Sequence, residues 1–145
     1  MKKHLHVLLI SVSMGLLTGS ISCKRNDPAP GISSCGNPAL NKNLPGTWAA
    51  TVTTAGTAVT GSVTFKPDST FLDPNYVLLA ATLGNVPLTQ RTYSITGNRL
   101  TLSATNGPSS GVNAFLARGA IVDVNTCNRV EFQIGTSNSQ VVLTR

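Results

Sequence analysis

The sequence predicts an all-β domain: a small antiparallel up-and-down β-barrel of about eight strands. Composition is the first reason. Of 145 residues, 41% are hydrophobic but only 11% are charged, and Thr, Ser, Asn and Gly abound. That mix favours strands and turns over surface helices, which draw on Glu, Lys and Arg. The second reason is periodicity. From Trp48 onward apolar residues recur at period two in short runs. The third is spacing. Short turn signals separate most of the runs, short connections favour antiparallel neighbours, and closing the sheet removes both edges. The length fits one such domain.

The chain before that domain reads as an export signal and a tether. Lys2 and Lys3 precede the apolar run Val7 to Leu17, which is too short to span a bilayer. Ser20-Ile21-Ser22-Cys23 then puts a small residue directly before a cysteine. This resembles the lipobox of bacterial lipoproteins, with Ser20 standing where Leu is usual. The resemblance implies that residues 1–22 are removed and that acylated Cys23 anchors the chain to a membrane. Lys24 stands where an Asp retains inner-membrane lipoproteins, so the implied destination is the outer membrane, on its periplasmic or surface face. The alternative is plain secretion, with Cys23 an ordinary residue. Lys24 to Cys35, with Pro28, Pro30 and Gly31, has no apolar periodicity and reads as a tether.

Processing also bounds the chemistry. His4 and His6 both lie in the signal, so the mature chain has no histidine and keeps Asp27, Asp68, Asp73, Asp123 and Glu131 as its acids. That excludes a His-dependent triad and a His-ligated metal site. Removal of Lys2 and Lys3 takes the formal charge from +6 to +4. The remaining basic residues are scattered without interleaved aromatics, so no nucleic-acid partner is expected.

Asn37-Pro38 predicts a cap and first position for a short helical turn over Ala39 to Lys42, which ends the segment 23–43. Gly46-Thr47-Trp48 follows. It resembles the glycine-any-tryptophan motif that opens the first strand of lipocalins. The resemblance implies a lipocalin-like barrel over 44–145, one end closed by the helical turn, and a basic residue from the last strand laid across the Trp. Arg145 fills that role, making Gly46, Trp48 and Arg145 the implied barrel closure. Otherwise Trp48 is the largest core residue of a different small β-fold.

Strands are then expected over Trp48–Thr54 and Thr57–Lys66, with Val59, Val63 and Phe65 sharing a face. Pro67-Asp68-Ser69 is a tight turn. Asp73 to Leu88 is ambiguous. Asp73-Pro74 resembles a helix start and Gly84 a helix stop, which favours a short apolar helix at the barrel mouth; a hairpin turning at Gly84-Asn85 is the alternative. Either way the run must bury itself, as core or as a lid, with Tyr76, Leu79 and Leu83 the lid or ligand-mouth candidates. Strands resume over Arg91–Thr96, Arg99–Ala104, Ala114–Val124 with a break at Gly119, Arg129–Ile134 and Gln140–Arg145. Turns or loops separate them at Gly97-Asn98, Asn106–Gly111, Asn125–Asn128 and Gly135–Ser139.

Once Cys23 is acylated, Cys35 and Cys127 are the remaining cysteines, and in an exported chain such a pair bonds. The loop so closed would contribute about 4–5 kcal/mol by chain entropy. The alternative is two buried thiols. Asp123, Asn125, Asn128 and Glu131 lack the spacing of a calcium loop, and Asp68 and Asp73 fall in a turn and a cap rather than a catalytic pair. No enzyme, metal or cofactor is expected. Two functions remain: a barrel that binds a small apolar ligand in or at its mouth, or a filled-core module that meets a surface protein partner. A monomer is expected.

Overall fold

The computed structural model describes residues 36–107, 113–135 and 139–145. All lie in the second of the chain's two units, Ser33–Arg145. The expected signal, the lipobox Cys23, the tether and Cys35 fall outside the described residues.

The expected barrel is present. Among the described residues, ten strands follow one short helix: α1 (Leu40–Asn43), β1 (Gly46–Thr54), β2 (Thr57–Phe65), β3 (Phe71–Leu72), β4 (Thr82–Leu83), β5 (Val86–Pro87), β6 (Gln90–Thr96), β7 (Arg99–Thr105), β8 (Phe115–Thr126), β9 (Arg129–Ile134) and β10 (Ser139–Thr144). Eight of them form one antiparallel sheet in the order β3-β2-β1-β10-β9-β8-β7-β6. Except at β3 and β6, strands that follow one another in this sheet are neighbours, and β10 returns to pair with β1 from Ala49↔Thr144 to Thr53↔Gln140. Outer strands β3 and β6 meet only at the bridge Thr70↔Thr92 and the bond from Tyr93 N–H to Ser69 O at 2.8 Å. The sheet is a nearly closed barrel with one weak seam.

Alternation decides what lies inside. Trp48, Ala50 and Val52 of β1 face the core with Val63 and Phe65 of β2, Leu100, Leu102 and Ala104 of β7, Val130 and Phe132 of β9, and Val141 and Leu143 of β10. Most of these have no exposed surface, and Trp48 is 1% exposed. One expected core residue, Val59, is outside: it is 54% exposed. It sits toward the barrel end opposite Trp48, past the packed layers. The break expected in β8 falls between Val122 and Val124 instead of at Gly119. Gly119 remains in register with Thr101, under the Arg99 guanidinium.

Two local expectations are corrected. Helix α1 is capped by Ala39 with no side-chain bond. Asn37-Pro38 precedes it, and Pro38 O accepts from Asn125 Nδ2 at 2.6 Å. Nor does the run from Tyr76 to Leu83 form a helix. It bends back on itself and ends in the β4–β5 hairpin, Thr82↔Pro87 and Leu83↔Val86, with Gly84 at φ +60° in the turn. The alternative reading of this segment is the one observed. Asp73 is the cause. Its Oδ1 accepts from Val77 N–H, and its Oδ2 from Leu78 N–H and Leu79 N–H. A helix N-cap satisfies donors two or three residues on; these lie four to six residues on, so the chain coils around the carboxylate. Tyr76 takes φ +56° to make that possible, a conformation rare for a bulky residue.

This coil fills the wall where β3 stops. On one side Asn75 Oδ1 accepts from Ser62 N–H of β2 at 3.4 Å. A Cβ at Gly61 would lie 2.9 Å from both Asn75 Cβ and Val77 Cγ1, so only glycine permits this approach. On the other side Arg91 of β6 donates to Leu79 O and Ala80 O. Val77, Leu78 and Leu79 join the core. Asp73→Ala strands three backbone donors in this packed segment. Each buried unsatisfied donor costs about 1–3 kcal/mol. Urea denaturation should show a loss of at least about 2 kcal/mol, with hydrogen exchange at Val77 to Leu79 accelerating most.

Candidate functional site

The expected closure at the Trp48 end is assembled. Arg145 Cζ lies 4.2 Å from the centroid of the Trp48 ring, a cation–π geometry. The guanidinium is a fork: Nε donates to Cys127 O at 2.8 Å, Nη2 to Asn43 Oδ1 at 2.8 Å and Nη1 to Pro45 O at 3.5 Å. Trp48 Nε1 donates to Leu44 O at 2.8 Å, and buried Asn43 donates to Asn125 Oδ1 and Thr126 O. Gly46, at φ +132°, leaves room for Arg145: a Cβ there would meet Nη1 at 3.1 Å. Helix, first strand, last strand and the β8–β9 turn are thereby bound at one point. Cys127 sits in that turn, and its expected partner Cys35 lies outside the described residues.

The predicted lid residues are not brought together. Leu79 is 2% exposed and belongs to the core, Leu83 is 44% exposed on the hairpin, and Tyr76 is 53% exposed beside the seam. The Tyr76 ring stands over Arg91, 5.1 Å from its Cζ. Arg91 itself is only 8% exposed.

Around that pair the seam is grooved. One groove, of about 420 Å³, runs past Phe71, Pro74, Tyr76, Leu88 and Arg91. A second, of about 450 Å³, runs past Lys66, Phe71, Gln90 and Arg91. The seam below them is aromatic. Phe65 stacks on Phe71 with centroids 5.5 Å apart and meets Tyr93 edge-on at 5.2 Å. The Tyr93 hydroxyl donates to Lys66 O at 2.7 Å. Burial pushes the Tyr93 phenol above its ordinary pKa, with the negative charge of Asp68 adding to the effect. At the adjoining turn, Asp68 Oδ1 accepts from the Thr70 hydroxyl and backbone N–H. These bonds hold its carboxyl below the usual range, and the charge of Lys66 reinforces them.

Among the described residues, Arg129 pairs with Glu131, while neither Lys66 nor Arg91 is in an ion pair. Also among these residues, no three His, Cys, Asp or Glu side chains stand together as a metal site. Asp68 and Asp73, weighed from the sequence as a catalytic pair, are committed to different backbone turns. The arrangement offers apolar walls, a buried cation and hydroxyl groups, which is chemistry for binding.

Sequence reasoning left Lys66 and Arg91 out of the site. Arg91 carried a signal: it shares the inward parity of Tyr93 and Ile95, where a charged residue needs a special partner. Lys66 carried none, because its place beside β6 depends on tertiary structure.

Arg145→Ala removes the fork and the cation–π contact together. Denaturant melts should show a loss of roughly 1–3 kcal/mol, and Arg145→Lys should recover less than half of it, since an ammonium cannot make the forked contacts.

No protein-family model, curated protein or solved structure matches this chain, so the reading of the site rests on its own geometry.

Proposed function

We propose that this chain is an exported lipoprotein, anchored through acylated Cys23, whose lipocalin-like barrel has a filled interior and does its recognition on the outer surface. The anchoring half of the reading rests on Lys2, Lys3, the apolar run from Val7 to Leu17 and the Ser22-Cys23 junction. The lipocalin likeness rests on Gly46-Thr47-Trp48, on β1 pairing with β10 and on Arg145 over Trp48. A bond between Cys35 and Cys127 belongs to the same proposal. It would tie the tether to the β8–β9 turn, beside the Arg145 contacts.

One observation carries the filled-interior reading. Leu100, Leu102, Ala104, Val130, Phe132, Val141 and Leu143, from three strands, each have 0% exposure. An eight-stranded barrel is just wide enough to be filled by side chains or to hold one small ligand. The second reading, a small apolar ligand at the barrel mouth, is favoured by the groove beside Tyr76 and Leu88.

Two measurements test the proposal. Intact-mass and non-reducing peptide mapping of the mature protein should find acyl chains on Cys23 and a Cys35–Cys127 peptide pair. An unmodified soluble chain with both thiols free would defeat it. Overpacking tests the interior. In a filled barrel Ala104→Leu should lose about 1–3 kcal/mol by urea denaturation; a neutral or stabilising result would mean that the interior has room for a ligand.

A further inference from the structure

The two grooves along the β3–β6 seam differ in chemistry and share a cation. The groove past Lys66 and Arg91 is otherwise lined by hydroxyl, amide and apolar groups, and no carboxylate faces it. The acid nearest Lys66 along the chain, Asp68, is engaged by Thr70. The adjoining groove is mainly apolar, with Pro74, Tyr76 and Leu88 beyond the shared Phe71 and Leu72. Asp73 reaches its lining, but both carboxylate oxygens are held by the backbone N–H groups of Val77, Leu78 and Leu79. Arg91 belongs to both grooves.

A guanidinium carries five N–H donors. Arg91 gives one bond each to Leu79 O and Ala80 O. Those carbonyls and the Tyr76 ring hold it in place without neutralising it. At a desolvated position its attraction for an anion is screened far less than that of a surface lysine. Leu72, 53% exposed, continues the apolar surface between the two grooves.

We propose that this seam binds an anionic amphiphile. A carboxylate or phosphate head sits against Lys66 and Arg91, and an apolar tail lies along Phe71, Leu72 and Leu88 toward Tyr76. The inference rests on the outer-surface reading above and names the chemical class recognised there. The same head chemistry occurs in soluble fatty acids and in anionic lipid headgroups, and the test separates these two sources.

The test uses the complete mature chain carrying Cys23→Ala and titrates it by calorimetry with dodecanoate at concentrations where it is monomeric. Saturable binding is expected. It should weaken roughly tenfold in Lys66→Glu and in Leu72→Asp, both changes at exposed positions, and remain unchanged in Arg118→Glu, which alters the net charge equally elsewhere. Dodecyltrimethylammonium, with the same tail and the opposite charge, should bind far more weakly. In a parallel arm, vesicles of phosphatidylglycerol and of phosphatidylcholine are sedimented with the protein. Capture by the anionic vesicles with the same sensitivity to Lys66→Glu would make a lipid headgroup the source of the anion. Dodecanoate binding without vesicle capture would make it a soluble amphiphile. Absence of dodecanoate binding would overturn the groove proposal and leave the filled barrel standing. Binding indifferent to Lys66→Glu and Leu72→Asp but abolished by Ala104→Leu would place the ligand inside and overturn both readings.

Discussion

Asp73 decides how the thinnest part of the barrel wall is closed. β3 contributes only Phe71 and Leu72 before the chain leaves the sheet, so the half of β2 beyond it has no strand alongside. A carboxylate at the exit point gathers three successive backbone donors and winds the chain into a knot instead of a helix. The knot turns Val77, Leu78 and Leu79 inward, hands Asn75 to β2 and offers two carbonyls to Arg91 on β6. Remove the carboxylate and each of those contacts loses its support. The seam grooves exist because this repair covers the wall without continuing the strand.

The two halves of the molecule are secured by different means. At the Trp48 end, one guanidinium gathers the helix, the first strand and the β8–β9 turn through hydrogen bonds to Asn43, Pro45 and Cys127. Along the seam the ties are a single bridge, aromatic contacts and a tyrosine hydroxyl. Segments with few buried backbone bonds open most readily, so the seam is where the barrel yields first. A recognition surface placed there can adjust to a guest at little cost to the closed end.

Much of this was legible in the residues. Alternation gave the strands, and Pro67-Asp68-Ser69 and Gly97-Asn98 gave their turns, because period and turn chemistry are local properties. The contact of Arg145 with Trp48 was legible too, since an even number of strands returns the last beside the first. The segment after Asp73 was misjudged for a physical reason. Asp-Pro before a run of Leu and Ala reads as a helix start, yet the same carboxylate can cap a tighter coil, and only the gap left by a two-residue β3 selects between them. Val59 has the right parity and type for a core, but it lies beyond the layers that pack. Of the candidate site, Tyr76 was named from sequence; Arg91 and Lys66 were not, because they meet only when β6 is laid against the hairpin after β2.

The pairing of β1 with β10 also sets an order of assembly. Every other ladder in the barrel joins strands that follow one another along the chain and can form as a local hairpin or short loop closes, on the microsecond scale typical of such events. The β1–β10 ladder joins residues such as Ala49 and Thr144, and bringing distant segments together carries the entropy of closing the whole intervening loop. Folding slows as such distant contacts come to dominate. Until β10 docks on β1, the three strands β1 to β3 and the five strands β6 to β10 are therefore separate sheets joined only at the weak seam. Arg145, immediately beyond β10, then reaches the Trp48 ring, so the contact that seals the barrel end is among the last to form.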